Sequence, residues 1–280
     1  LTAAALVSVD NEENQSSVRY FDYLLGSATP YESSLREDLE KEEEHDLEFS
    51  LNLEKQFSND DHKLNFFIQY MKDGETEDSK LEERVLSGES VDNPVLYQMV
   101  LNEEGENNLM FEGDYVLPLG QDAKFEAGLR GELRTIRNPY AVQELINNSW
   151  MELPEYTNDF KYDENVVAAY LQGANKFGNI GVQLGLRAEY SDIKTFLEQG
   201  SVENDRQYID FFPTAHVTYN FNPYNAWQIS YSRRIHRPHF RHLNPFYGLS
   251  DSRNIRTGNP ELEPEYTNAY ESGYVYTPGK

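Results

Sequence analysis

Apolar and polar residues alternate along several segments of the chain, most regularly over residues 181–190. The apolar positions there are Val182, Leu184, Leu186, Ala188 and Tyr190, and the intervening positions are Gly181, Gln183, Gly185, Arg187 and Glu189. A period of two is typical of a β-strand whose two faces meet different surroundings, and helical spacing fits it poorly. The pattern therefore predicts a strand with one apolar face.

Similar alternation recurs along the chain and predicts an all-β, antiparallel fold with about eleven strands. The predicted strands lie near residues 1–10, 17–25, 47–54, 63–72, 109–117, 124–133, 163–175, 181–190, 208–221, 226–236 and 267–277. Segments 47–54 and 124–133 are the most regular after 181–190, and segment 1–10 is the weakest.

The connections between these strands alternate in length. Short, turn-forming connections fall at 11–16, 58–62, 118–122, 176–179 and 222–225, and long ones at 26–45, 73–108, 136–162, 192–207 and 237–266. This interpretation places the strand-like segment 95–101 in a hairpin of the second long loop. All long loops then emerge at one end of the sheet, which is typical of an outer-membrane β-barrel with short periplasmic turns and long extracellular loops.

An open sheet of eleven strands has two unpaired edges, and unpaired backbone groups cannot face lipid. If the strands cross a membrane, we therefore expect the chain to be part of a larger barrel. Aromatic residues near strand ends are candidates for interfacial girdles, although they are also ordinary strand formers. They are Tyr20, Tyr23, Tyr70, Tyr115, Tyr190, Tyr219, Trp227, Tyr231, Tyr270, Tyr274 and Tyr276.

Composition narrows the function classes. The chain has 24 basic and 49 acidic residues and a net charge of −25, which argues against a nucleic-acid partner. Cysteine is absent, which excludes disulfides, thiolate metal sites and a cysteine nucleophile. No apolar run reaches the roughly 18 residues of a membrane helix, but this leaves a membrane barrel open because barrel strands alternate.

Acidic residues concentrate in the first two predicted long loops. They are Glu40, Glu42, Glu43, Glu44, Asp73, Glu75, Glu77, Asp78, Glu82, Glu83, Glu103, Glu104 and Glu106. One interpretation is a solvated surface that resists aggregation, and the other is binding of divalent cations by clustered carboxylates. The spacing matches no defined loop such as the EF-hand.

Histidines at 236, 239 and 242 are a candidate metal cluster, but Pro238 excludes a helix through them and arginines are interspersed among them. The alternative is a polar entry to a loop. No nucleophile elbow, zinc-protease motif or phosphate loop is present, so the sequence predicts neither an enzyme nor a cofactor.

The stretch 227–274 combines a strand with a loop rich in prolines and turn-forming residues, which restrict the backbone. Residues 227–235 alternate as a strand, and Pro238 should end its pairing because proline has no amide hydrogen. Asn244-Pro245 and Gly258-Asn259-Pro260 are turn elements, and Pro264 stiffens the approach to the final strand. Such a long, locked loop usually carries function or docks against the fold.

This stretch resembles the TonB-dependent outer-membrane receptors, specifically the Bacteroidetes-type outer-membrane β-barrel family. The resemblance lies in the strand WQISYSRRI at 227–235, the Arg-Pro step, the segment LNPF at 243–246, the run GNPELEPE at 258–265, and a final strand with Glu271 and Gly273-Tyr274. The signature residues are Arg237, Pro238, Asn244, Pro245, Phe246, Gly258, Asn259, Pro260, Leu262, Pro264, Glu265, Glu271, Gly273 and Tyr274. We interpret them as structural, and ligand-binding residues stay unknown.

The resemblance implies a barrel of about 22 strands in the bacterial outer membrane, closed around a plug. We expect residues 1–280 to be part of one barrel domain, with the plug and the terminal strands outside this stretch. The implied function is active uptake of a nutrient such as a metal chelate, glycan or peptide. The implied partners are outer-membrane lipid, TonB through the plug region, a small nutrient ligand and a surface lipoprotein.

Two alternatives to uptake stay open at this point. The first is a surface or scaffold barrel that transports nothing and binds partners through its acidic loops. The second is a soluble β-sandwich adhesin domain, in which the alternation reflects one buried face.

Overall fold

The fold was analysed in a computed structural model, which describes residues 1–57, 61–88, 90–91, 95–246, 248 and 257–278. The strands are β1 (Thr2–Asp22), β2 (Glu32–Gln56), β3 (Lys63–Ser87), β4 (Leu96–Pro118), β5 (Ala123–Ile146), β6 (Ser149–Glu152), β7 (Asn158–Phe177), β8 (Ile180–Leu197), β9 (Val202–Asn222), β10 (Asn225–His236) and β11 (Glu265–Tyr276). A 3-10 turn (Pro154–Tyr156) and a one-turn helix α1 (Phe240–Leu243) complete the described elements. No helix in these residues is long and apolar enough to cross a membrane.

All eleven strands form one antiparallel sheet, which confirms the predicted fold class. Ten strands pair with their sequence neighbours from β1 to β11, and the short β6 pairs only with β5 at the side of this path. Within the described residues, β1 pairs with β2 alone and β11 with β10 alone. The sheet therefore has two free edges, at β1 and β11.

The two faces of the sheet differ as the alternation predicts. We call the face that carries the β10–β11 loop the inner face, and the opposite face the outer face. On β8, Leu184 and Leu186 are exposed on the outer face, whereas Glu189 is buried on the inner face. An apolar band crosses the outer face at 47–53 of β2, 64–70 of β3, 109–117 of β4, 125–133 of β5 and 180–190 of β8.

The strands continue well beyond this apolar band. β2 and β3 have 25 residues each, whereas a tilted strand of about 9–11 residues crosses a bilayer. At one end of the band, the outer-face positions become polar at His45, Lys72, Asn107 and Asp192. We treat the apolar band as the membrane-spanning part and the polar strand ends as extensions outside it.

These extensions correct the predicted long loops. Most of 26–45, 73–108, 136–162 and 192–207 is strand. The connections left along the main strand path are 23–31, 88–95, 147–157 and 198–201, and the third of them contains β6 and the 3-10 turn. The two strands of each hairpin hold each other by backbone hydrogen bonds, so the polar sequence does not interrupt them. The strand ends that border these connections, and those of β10 and β11 that border the strand-to-strand connection after His236, lie at the end where long loops were predicted.

The predicted turn at 11–16 is wrong, because β1 runs through it and pairs with 38–43 of β2. The predicted strands at 1–10 and 17–25 are thus one strand, while β6 adds a strand that the pattern did not predict. The segment predicted as a loop hairpin at 95–101 forms the start of β4 and pairs with β3. Part of the predicted turn at 58–62 lies outside the described residues.

Several candidate girdle aromatics are exposed on the outer face near the ends of the band, including Tyr190, Tyr219 and Trp227. Tyr20 instead belongs to the inner face of β1, opposite Ser34 of β2, and Tyr23 lies in the β1–β2 turn. Two apolar clusters lie on the inner face. The larger contains Ile136, Phe160, Tyr162, Ile193, Leu197, Phe240 and Leu243, and the smaller contains Leu81, Val100 and Val142.

Candidate functional site

The loop between β10 and β11 folds back over the inner face of the sheet. We call its described segments, residues 237–246 and 257–264, the strap. Helix α1 lies in the first segment and buries Phe240 and Leu243, which are 2% and 4% exposed. Both side chains pack in the larger apolar cluster with residues from β5, β7 and β8. The strap is therefore docked on the inner face through an apolar contact.

Arg237 begins the strap and carries most of its polar contacts. Its Nη2 donates to Glu189 at 2.7 Å and to Ser191 Oγ at 2.8 Å, and its Nε donates to the Tyr208 hydroxyl at 3.2 Å. Glu164 lies 3.9 Å from Nε and Glu189 also accepts from Arg187 at 2.6 Å. Three strands, β7, β8 and β9, thus meet at one guanidinium.

The environment of Arg237 favours its charged form. Burial is the largest single influence and would lower the pKa of the Arg237 guanidinium, but the hydrogen bonds and charges of Glu189 and Tyr208 together outweigh it, and the pKa is raised. A charge-assisted hydrogen bond is stronger than a neutral one, so the contact fixes where the strap leaves the sheet.

Arg241 points from α1 toward β3 and β4. Its Nη2 is 2.8 Å from a carboxylate oxygen of Glu104 and 4.0 Å from one of Glu75. The hydrogen bond to Glu104 raises the pKa of Arg241. Glu75 lies outside the apolar band, and burial together with Glu77 raises its pKa to about 7. At neutral pH, Arg241 therefore forms its stronger ion pair with Glu104 and its weaker one with Glu75.

His239 caps the start of α1. Its Nδ1 accepts a long hydrogen bond of 3.4 Å from the backbone N–H of Arg241, which requires Nδ1 to be unprotonated. Burial and the nearby charges of Arg134 and Arg241 lower the pKa of His239. The neutral imidazole that the cap requires is thus favoured.

The two segments of the strap are joined by backbone hydrogen bonds. The Gly258 N–H donates to the Asn244 carbonyl and the Asn259 N–H donates to the His242 carbonyl, both at 2.7 Å. The Asn244 side chain accepts from the Phe246 N–H at 3.0 Å, and the Asn259 side chain accepts from the Glu261 N–H at 2.9 Å. The asparagines of the signature thus form Asx turns that shape each segment.

The second segment docks on β9 through its carbonyl groups. The Asn204 side chain donates to the Pro260 carbonyl at 3.2 Å, and Arg206 donates to the Leu262 carbonyl. β9 pairs with β10 only as far as Thr214, so the strap contacts the part of β9 that lies beyond this pairing. Pro238 and Pro264 line a small cavity between the strap and β8–β9, with Pro260 and Leu262.

Gly258 is needed for the close approach of the two strap segments. A Cβ atom there would lie 2.4 Å from the His242 carbonyl oxygen and 2.5 Å from that of Asn244. Gly258→Ala is expected to destabilise the docked strap by about 2 kcal/mol, as overpacking against fixed atoms typically does. Hydrogen exchange at the Asn259 amide should accelerate accordingly.

Gly273→Ala is the matched control, because a Cβ atom at Gly273 meets nothing within 4 Å. Exchange at Asn259 should stay at its wild-type rate in this variant. Equal acceleration in both variants would contradict the importance of close approach at Gly258.

The other signature residues lie at the ends of the strap or in the final strand. Pro238 follows the end of β10 at His236, as predicted, and Phe246 stacks edge-on with Tyr140 at 5.7 Å. Pro245 accepts a hydrogen bond from Thr257 at 2.7 Å. Glu265 is the first residue of β11. Farther along this strand, the Glu271 carboxylate accepts a hydrogen bond from the Ser230 hydroxyl at 3.5 Å, and the Tyr274 hydroxyl donates to Asn225. Gly273 lies opposite Gln228 in the pairing of β11 with β10.

The three histidines do not form a metal cluster. His236 ends β10 and His239 caps α1, while the rings of His239 and His242 are 6.2 Å apart. Among the described residues, Glu42, Glu75 and Glu77 form the group whose possible ligand atoms all lie within 4.8 Å of one another. The cation alternative for the acidic residues stays a prediction, now confined to these three.

The residues that receive the strap could not be paired with it from the sequence. The alternation predicts Glu189 and Tyr208 only as strand positions and Glu104 only as a loop position, and it predicts no role for Ser191. A usable signal existed for Glu189, because it is a charge on the polar face of the most regular strand and lies beyond the centre of that strand. Its pairing with Arg237, 48 residues away, depends on the fold.

Solved structures of transporters and of an uptake receptor are similar to this chain. They include the ferric citrate transporter FecA (11% identity, TM-score 0.43, 88% of this chain and 41% of that chain). The FrpB iron transporter from Neisseria meningitidis has 10% identity, a TM-score of 0.42 and coverage of 99% and 51%. The ferric yersiniabactin uptake receptor FyuA from Yersinia pestis has 8% identity, a TM-score of 0.42 and coverage of 99% and 48%.

This chain therefore spans about half the length of these proteins or less. A comparison with curated protein sequences gives no match. The sequence model of one family matches residues 1–280. The chain belongs to the outer membrane protein beta-barrel family, and its sheet lies in the outer membrane.

Proposed function

We propose that this chain forms part of the barrel of a TonB-dependent receptor that takes up a nutrient across the outer membrane. The observation that carries the proposal is the contrast between the two faces of the sheet. The outer face carries an apolar band, whereas the inner face carries charged groups and a strap that crosses it. A polar inner wall is typical of a barrel that encloses water or a polar plug, and a packed sandwich core would be apolar.

The free edges at β1 and β11 support a larger barrel than the ten-strand path described here. Unpaired backbone groups cannot stay exposed to lipid, so further strands have to close the sheet. We propose that these strands come from the same protein, that the closed barrel has about 22 strands, and that a plug contacts TonB. The Bacteroidetes type of the family and a surface lipoprotein partner stay predictions.

The signature residues are proposed to fold and dock the strap, and not to contact the nutrient. Arg237, Asn244, Gly258 and Asn259 all make contacts within the protein that leave few polar atoms for a ligand. The nutrient class stays a metal chelate, a glycan or a peptide, and the proposal assigns no reaction to the protein.

Uptake is tested by deleting the gene and measuring growth on each candidate nutrient as the limiting source. We expect slower growth on one nutrient at low concentration, and recovery when the complete gene is restored. Recovery should fail in a strain that lacks TonB. A scaffold barrel that transports nothing would give normal growth on every nutrient, and this result would overturn the proposal.

A further inference from the structure

The strap makes two ionic contacts with the sheet that differ sharply in burial. The Arg237 side chain is 19% exposed and its partner Glu189 is 10% exposed. The Arg241 side chain is 59% exposed, although its partner Glu104 is only 17% exposed. A buried pair and a pair whose cation is exposed thus lie four residues apart in one segment.

The two contacts also reach different parts of the sheet. Arg237 binds β7, β8 and β9 directly below the strap, where the apolar cluster of Phe240 and Leu243 holds it as well. Arg241 reaches β3 and β4 instead, and Glu104 is 137 residues away in the sequence. Docking of the strap therefore does not depend on Arg241, because the apolar contact and Arg237 lie on the other side.

The wall that Arg241 reaches is strongly acidic. Glu42 and Glu77 lie beside Glu75 on the same face, and Asp73 precedes it on β3. Glu106 of this wall is paired with Arg134 at 2.6 Å, whereas in the part of the chain that the structure describes Arg241 is the cation that reaches Glu104 and Glu75. Removal of its charge would leave this part of the inner face with an uncompensated negative potential.

We propose that Arg241 is an intramolecular counter-ion, which neutralises the Glu75–Glu104 part of the inner wall and can leave it while the strap stays docked. Exposed ion pairs are weak and are screened by salt, because water and mobile ions compete for both charges. The guanidinium should therefore leave Glu104 far more readily than Arg237 leaves Glu189. The charge that a solute meets on this wall then depends on the position of one side chain.

The ion pair between Arg241 and Glu104 lies within the fold. Its proposed role does not depend on which nutrient is transported or on whether transport occurs. Its test accordingly uses no uptake measurement. The absence of cysteine from the chain allows a single reporter thiol to be placed on the wall. Asn102 is suitable, because its side chain donates to Glu77 at 2.7 Å on the inner face.

The experiment measures the reaction of Asn102→Cys with a cationic and an anionic methanethiosulfonate reagent of similar size. The complete protein is folded in lipid vesicles at low ionic strength. Addition of Arg241→Gln should raise the ratio of cationic to anionic rates about fivefold, because one positive charge near the thiol is lost. The difference should shrink at high salt.

Two further variants serve as controls. Arg84→Gln removes the same charge from an exposed arginine of β3 that pairs with Glu37 and Glu82, and the ratio should stay within about twofold of wild type. Arg241→Lys keeps the charge and should also stay within about twofold. If Arg241→Lys raises the ratio of cationic to anionic rates as much as Arg241→Gln does, the shape of the side chain and not its charge causes the change. This result would overturn the proposal.

Hydrogen exchange at the Asn259 amide reports whether the strap stays docked. We expect wild-type protection in Arg241→Gln and in high salt, since the docking contacts are elsewhere. Loss of protection in either condition would identify Arg241 as a structural attachment of the strap and would overturn the proposal. An unchanged reagent ratio in Arg241→Gln would overturn it as well.

Discussion

Replacement of Arg237 by glutamine is expected to lower the free energy of unfolding by about 3 kcal/mol. Glutamine retains much of the length of the side chain but loses its charge. Among the described residues, Glu189 would then keep only Arg187 as a cationic partner, and Glu164 would lose the Arg237 charge 3.9 Å away. A partly buried carboxylate without its counter-ion costs several times more than an exposed one.

The measurement is denaturant unfolding of the complete protein folded in lipid vesicles, with Arg234→Gln as the matched control. Arg234 has the same side chain and lies three residues before Arg237, but it is exposed on β10. We expect the control to change stability by less than about 0.5 kcal/mol. A similar loss in both variants would show that the Arg237 contacts contribute little beyond a surface charge.

Replacement of Leu184 by arginine is expected to cost about 2–4 kcal/mol, because the side chain points to lipid near the middle of the apolar band. Leu184 is 57% exposed on the outer face, between Val182 and Leu186 of the same face. In water this exposure would carry no penalty for a charge. In the outer membrane it places a guanidinium in hydrocarbon.

Gln183→Arg is the matched control, one residue away on the opposite face. Gln183 lines an inner cavity beside Lys124, His216 and Thr218, where water can solvate a charge. We expect a much smaller loss, and denaturant titration in vesicles compares the two variants directly. Equal losses would contradict the assignment of the two faces of β8.

The strands were predictable where their faces differ. Residues 181–190 alternate because lipid meets one face and polar groups meet the other, and this pattern is local in the sequence. Where β1 and β2 leave the apolar band, every residue of 11–16 and of 40–46 is polar, so the sequence there has no period of two to detect. The composition of segment 11–16 therefore predicts a turn, although the segment pairs with residues 38–43 of β2 in an unbroken register.

The candidate site is likewise predictable from the sequence only in part. Pro238, Asn244-Pro245 and Gly258-Asn259-Pro260 indicated a loop with a fixed shape, since proline and Asx turns act on their own backbone. The partners of Arg237 and Arg241 were not predictable, because Glu189 and Glu104 are distant in sequence and resemble many other acidic residues of the chain. Nothing in the residues around an arginine indicates which distant acidic residue it pairs with.

The sequence by itself determined the two-faced antiparallel sheet, the end at which the polar connections lie, and the resemblance that the family match bears out. Each of these depends on short-range patterns of residue type. Only the tertiary structure decided how far the strands extend, that the strap docks on the inner face, and that Arg237 is buried while Arg241 is exposed. These features depend on strand register and on contacts between distant segments, which form only when the sheet places those segments side by side.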